Sequence, residues 1–282
     1  VIIVLVLVAV CYGIGYGCGR VLKSMFTKSI EYPQTVREQV VDNYFGTEVA
    51  DPYRWLEDDN SEATAAWVKE QNKVTFDYLN SLPSREKIKA RLAQLWDYPT
   101  QSAPSKHGDW YYLSRNSGLQ NQSVIYRKRN LTDTEEEVFL DPNTLSEDGT
   151  VALNTATFSK DGKLFAYSLA SAGSDWVEIF VMDAESKTLL SDHIKWVKFS
   201  GASWAPDNKG FYYSAYDAPK QGDALYSAQN TNQKVYYHRI GTSQSDDTLI
   251  YADPSNPLHY FHGGESEDGR WLFVTGSAGT SG

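Results

Sequence analysis

Past residue 18 the 282-residue chain has no cysteine, since both thiols, Cys11 and Cys18, fall within its first nineteen residues. From Arg20 to Gly282 there is no thiol for a disulfide or a thiolate zinc site, so packing alone must hold the fold. The five histidines (His107, His193, His238, His259, His262) show no HExxH spacing, and there is no GxxxxGK[ST] loop, which leaves metal and nucleotide chemistry without a motif. Also missing is the GxSxG string that puts a nucleophilic serine on a sharp strand-to-helix turn. The nearest string, GSAGTSG at 276–282, has a different spacing and reads as a loop. Positive charge is short as well. With 26 Lys and Arg against 36 Asp and Glu the net charge is -10, which sets the chain against phosphate backbones and makes nucleic acid an unexpected partner.

What is present is a globular composition, 41% hydrophobic and 13% aromatic, on a chain long enough for one or two domains. Val1 to Gly19 carries no charge and reads either as a signal or anchor segment or as translated upstream sequence, with Met25 as the true start. Arg20, Lys23 and Lys28 follow it, so the positive-inside rule puts the main domain in the cytoplasm; a signal segment would instead make the protein secreted or periplasmic. Only if residues 1–19 are a genuine anchor is a membrane a partner.

Asp59 followed by Glu62 resembles a capping box, and Ala63, Ala66, Trp67, Val74 and Tyr78 supply a helical stripe ending near Leu82-Pro83. Ser84 can cap a second helix, with Ile88, Leu92 and Leu95 on one face, running to Tyr98-Pro99. From Trp110 the pattern changes to short aromatic and β-branched runs: WYYLS, SVIYR, LFAYSL, VEIFVM and GFYYSAY. A turn recurs among them, in GDWYY, FSKDGKLFAY, WAPDNKGFYY and SEDGRWLFV, with turn aspartates 52, 46 and 61 residues apart. That spacing fits propeller blades, about 40–50 residues each. The pattern predicts about four partial or complete blades rather than an ordinary sandwich, which has no reason to repeat the string. A blade set without a returning strand would leave open edges, so missing blades are expected.

The strings YPQTVR at 32–37, DPYRWLED at 51–58, QNK at 71–73, GLQNQSVIY at 118–126, FLDPNTLSEDGTVAL at 139–153 and AGSDW at 172–176 together resemble the N-terminal part of the prolyl oligopeptidase family. The resemblance runs from Tyr32 to Gly282. It implies a mainly β chain: a partial seven-bladed β-propeller preceded by the helical N-terminal piece of an α/β-hydrolase domain. On this reading residues 1–24 are the apolar segment, 25–98 the hydrolase piece, and 99–282 the first half of a propeller lid. The family's Ser, Asp and His would all lie beyond Gly282, so no catalytic residue is assigned here.

The resemblance implies a parent serine endopeptidase that cleaves short proline-containing peptides on the carboxyl side of proline, without metal or organic cofactor, as a monomer. Asp175 resembles the family aspartate that latches propeller to hydrolase domain; its other reading is a turn aspartate before Trp176. Phe199 resembles the aromatic lining an apolar subsite beside the proline pocket, against the reading of a core strand residue. Animal members carry an arginine and a cysteine where this chain has Ser277 and Thr280, which puts those contacts in doubt. DPYRWLED reads as architectural, with Asp51 and Arg54 setting a turn. The alternatives are a non-catalytic propeller that binds peptides or proteins, and an oligopeptidase B-like enzyme cleaving after basic residues.

Overall fold

The computed structural model describes residues 30–219 and 229–279. Expectations for Cys11, Cys18, Met25, the opening apolar segment and Thr280 lie outside the described residues. The chain divides into two compact units, Val1–Ile88 and Lys89–Gly282.

In the first unit, β1 (Val41–Tyr44) and β2 (Thr47–Ala50) pair antiparallel in register Val41↔Ala50. Their two-residue turn, Phe45-Gly46, is left-handed at both positions, the hand that matches strand twist. The DPYRWLED string follows. Arg54 donates to Asp51 at 2.6 Å, and its other arm reaches Asp42 on β1, so a single guanidinium ties the turn to the hairpin. The Trp55 indole donates to the Val36 carbonyl at 3.0 Å.

Helix α1 (Glu62–Asn80) is capped by Ser61, whose hydroxyl oxygen accepts the Thr64 N–H at 3.0 Å. This differs from the expected Asp59 cap. The helix begins at Glu62, which leaves Ser61 as the last residue with extended backbone and puts Glu62 in the first turn, where its charge meets the positive helix end. The Trp67 indole donates to Thr35 Oγ1 at 3.0 Å, fixing the entering chain. Helix α2 (Arg85–Trp96) starts immediately after Ser84. No residue of either helix is buried, and Ile88, Leu92 and Leu95 stay exposed.

The second unit is built from antiparallel strands in four successive groups. The first blade holds β3 (Thr100–Gln101), β4 (Ser105–His107), β5 (Trp110–Asn116), β6 (Val124–Lys128) and β7 (Glu137–Leu140), with β3 and β4 both pairing with β5. The second holds β8 (Val151–Phe158), β9 (Leu164–Ser171), β10 (Trp176–Asp183) and β11 (Leu189–Lys198). The third holds β12 (Ser203–Trp204), β13 (Gly210–Ala215), β14 (Lys234–Arg239) and β15 (Thr248–Ala252). A hairpin, β16 (Tyr260–Glu265) and β17 (Leu272–Ser277), opens the fourth. Blades two and three join where Val197 pairs with Ala215.

The recurring sequence string has one structure. Ser159 Oγ accepts the Leu164 N–H at 2.9 Å and donates to Asp161, whose carboxylate accepts the Lys163 N–H at 3.1 Å. Ser266, Asp268, Arg270 and Trp271 repeat the pattern. In the third blade Ala205 replaces the serine, but Asp207 still accepts the Lys209 N–H at 3.0 Å. The residue after each aspartate is left-handed, with φ of 71° at Gly162, 61° at Asn208 and 66° at Gly269, hence glycine or asparagine there.

These turns touch in series. Asn208 Oδ1 accepts the Asp161 N–H at 3.0 Å, Gly162 packs on Gly108, and Gly269 lies against Pro206. They therefore line one end of the blade stack. The core lies between blades: Tyr112, Phe139, Phe165, Tyr167 and Met182 fill the first seam, and Ile179, Val181, Ile194, Val197, Trp204 and Phe211 the second. Each such side chain contributes about 1.5–3 kcal/mol by leaving water.

Candidate functional site

Because each strand runs antiparallel to the next, successive connections alternate between the two ends of a blade. The Asp turns occupy one end. The β9–β10 connection, the exit of β11 and the entry to β16 therefore occupy the other, and these carry Asp175, Phe199 and Tyr260.

Asp175 closes a turn that begins with Ala172 and Gly173, both left-handed. Ser174 Oγ accepts the Trp176 N–H at 3.0 Å and starts β10. The Asp175 side chain is 68% exposed and lies 3.9 Å from the Lys198 ammonium. Lys198 is the cross-strand partner of Trp176 and is largely buried; its ammonium lies 5.2 Å from the Trp176 ring and 5.3 Å from the Phe199 ring. Trp176 in turn meets Trp196 and Tyr216 edge to face. Burial, with Tyr260 nearby, pushes the Tyr216 hydroxyl up to about 12, so it stays neutral.

Phe199 follows the last residue of β11 and is no core residue. It is 59% exposed, has a left-handed φ of 57°, and meets Tyr260 edge to face at 5.4 Å. Sequence reasoning missed Tyr260. No sequence spacing marks a contact between residues 61 apart on different blades, and the only local signal was an aromatic shortly before Gly263-Gly264. The structure thus gathers Asp175, Lys198, Phe199 and Tyr260 at one end as an aromatic lip beside an ion pair. Such a surface can take apolar side chains and a polar group of a peptide; it holds no nucleophile.

His238 is not placed to act as a general base. His238 is fully buried, with Nδ1 2.7 Å from Asp247 and Nε2 2.9 Å from Asp192, so neither ring nitrogen is free to take a proton from a serine. His193 Nε2 faces Glu178 at 2.5 Å. Among the described residues no group of three or more His, Cys, Asp or Glu is placed to hold a metal ion, and no helix is long and apolar enough to cross a membrane, which says nothing of membrane-spanning strands.

Comparison with known proteins agrees with this architecture. Residues 32–282 match the family model described as the prolyl oligopeptidase N-terminal beta-propeller domain. The chain is 47% identical over 253 residues to a prolyl endopeptidase of Elizabethkingia meningoseptica, covering 90% of this chain and 35% of that protein. It is 36% identical to prolyl oligopeptidase A of Amanita bisporigera, over 91% of this chain and 37% of that one. Among solved structures, prolyl oligopeptidase B from Galerina marginata bound to a 25mer macrocyclization substrate superposes with a TM-score of 0.74 at 32% identity, covering 88% of this chain and 37% of that chain. The chain spans little more than a third of the length of these relatives. Four blade groups with a repeated Asp turn, behind a helical segment and matched over 32–282 by one family model, leave a single assignment: the chain belongs to the prolyl oligopeptidase family.

Proposed function

We propose that this chain supplies the propeller gate of a serine endopeptidase that hydrolyses short peptides on the carboxyl side of proline. Residues 25–98 are the N-terminal piece of its hydrolase domain, and 99–282 are the first half of the propeller lid. The catalytic Ser, Asp and His belong to a part of the native protein outside these 282 residues. The exposed stripe Ile88, Leu92 and Leu95 supports the domain reading, since an amphipathic helix needs a second layer to cover it.

One observation carries the functional reading: Phe199, held exposed in a strained conformation, presents a ring edge-on to Tyr260. Strain at an exposed aromatic persists where position matters more than burial. The pair forms an apolar subsite for the residue preceding the proline end of the peptide, and Asp175 beside it latches the lid to the hydrolase domain, exchanging its long ion pair with Lys198 for a cation there. No metal or organic cofactor enters this scheme.

The test is kinetic, on the native protein that contains this chain. Gly-Pro amides should be cleaved after proline, and Phe199→Ala should raise KM for an aromatic-capped Gly-Pro amide by about tenfold, the loss of one partly buried ring. Cleavage after arginine or lysine, or peptide binding without hydrolysis, would replace this reading with one of its two alternatives.

A further inference from the structure

Phe199 and Tyr260 come from the exit of one blade and the entry of the next but one, so something must set the distance between them. The backbone around both is held by two buried polar residues of the blade in between. Gln233 is 1% exposed, and both ends of its amide are engaged: Nε2 donates to the Lys198 carbonyl at 3.0 Å, and Oε1 accepts the Phe261 N–H at 2.7 Å. Ser214, wholly buried, makes the second staple. Its N–H donates to Ser200 Oγ at 2.8 Å and its hydroxyl donates to the Phe261 carbonyl at 2.6 Å.

The three residues they bond are the sequence neighbours of the aromatic pair. Lys198 and Ser200 bracket Phe199, and Phe261 follows Tyr260. A non-glycine residue at φ 57° costs about 1–2 kcal/mol, so it needs fixed points on both sides, and these bonds provide them. Gln233 is the member that reaches both segments through one rigid planar amide. It touches no exposed surface, so its effect on a ligand passes through the two rings.

We infer that Gln233 is a positioning residue for the outer subsite: it sets the spacing and angle of Phe199 against Tyr260, and so selects peptides with an apolar or aromatic group at that site. This rests on the proposed peptidase function. Replacing the amide by a carboxylate keeps its shape but turns the donor that faces the Lys198 carbonyl into a second acceptor, which repels that carbonyl and frees the turn at Phe199.

The experiment is a double-mutant cycle on the native protein with two substrates, a Gly-Pro amide and the same amide capped by a benzyloxycarbonyl group. Gln233→Glu should lower the capped-to-uncapped ratio of kcat/KM by about tenfold, through KM, and should add nothing further in a Phe199→Ala background. If Gln233→Glu fails to fold, Gln233→Met, of similar length and without the amide, carries the same test. An equal loss on both substrates, or additive losses in the double variant, would overturn the inference and leave Gln233 a packing residue. If Phe199→Ala itself leaves the ratio unchanged, or no cleavage after proline occurs, the peptidase-subsite reading falls first and the inference with it.

Discussion

His238 shows what a buried polar group does inside a paired ionic network. Asp192 on β11, His238 on β14 and Asp247 before β15 join blades two and three, with the Tyr213 hydroxyl donating to Asp247 at 2.6 Å and the Gly241 N–H donating to Asp192 at 2.6 Å. Both ring nitrogens face acceptors, so the satisfied species is the imidazolium. Burial pulls the imidazole pKa down; the hydrogen bonds and charges of Asp247 and Asp192 outweigh it, and the pKa is raised above its usual 6.5. A pKa raised in the folded state contributes stability that is full below about 6.5 and lost as pH climbs through the raised value. Urea midpoints should therefore fall as pH rises above 6.5, and His238→Gln should flatten that slope. Asp192→Asn should cost about 3 kcal/mol at neutral pH, because it leaves half of a buried ionic network unpaired. A midpoint that does not change with pH in the parent chain would show that the ring stays neutral. The strand pattern VYYHRI places this residue on a strand, but its partners 46 and 9 residues away leave no local trace, so its burial was not legible before the fold.

At the scale of elements the repeated Asp turn is both the most legible and the most testable feature. Gly162 and Gly173 have almost the same backbone, φ 71° and 73°, and differ in their surroundings. A Cβ on Gly162 would lie 2.3 Å from the backbone nitrogen of Gly108 in the preceding blade, whereas one on Gly173 meets nothing within 4 Å. Gly173→Ala should then cost only the left-handed strain, about 1–2 kcal/mol, and Gly162→Ala about 1–3 kcal/mol more for forcing two blade turns apart. Chemical denaturation of both variants reads the difference directly; equal losses would show that the turns do not bear on each other. The sequence announced these turns because each is closed by bonds within six residues, Ser159 to Leu164 and Ser266 to Trp271, and local chemistry leaves local signals. It announced the strands by their aromatic runs for the same reason. The helix cap was misplaced by two residues because Asp59 and Ser61 are both good caps, and only the backbone at Ser61 decides between them. Of the residues gathered around that lip, family resemblance singles out Phe199 but neither Tyr260 nor Gln233, since the contacts that bring those two to it exist only once three blades are side by side.

At the scale of the whole chain the balance between charge and exposed apolar surface decides solution behaviour. The β16–β17 hairpin turns Trp271 and Phe273 to solvent, 65% and 60% exposed, and among the described residues β17 pairs on one side only, with β16. An unpaired strand edge bearing large apolar side chains is a template for another chain. The net charge, -10 for the whole chain and -12 once Arg20 and Lys23 are left off (24 − 36), opposes association, but that repulsion is screened beyond about 8 Å at physiological ionic strength, while apolar burial is not. Residues 25–282 alone should therefore self-associate in a concentration-dependent way, and more strongly as salt is raised, since salt removes the repulsion and keeps the attraction. Replacing both Trp271 and Phe273 with lysine should restore a monomer, by adding charge to the edge and removing two rings. Size-exclusion chromatography with light scattering, at low and high salt, separates the cases. Association that weakens with salt would point to ion pairing between copies, and a monodisperse monomer at all concentrations would mean that the exposed hairpin edge is closed by the chain itself.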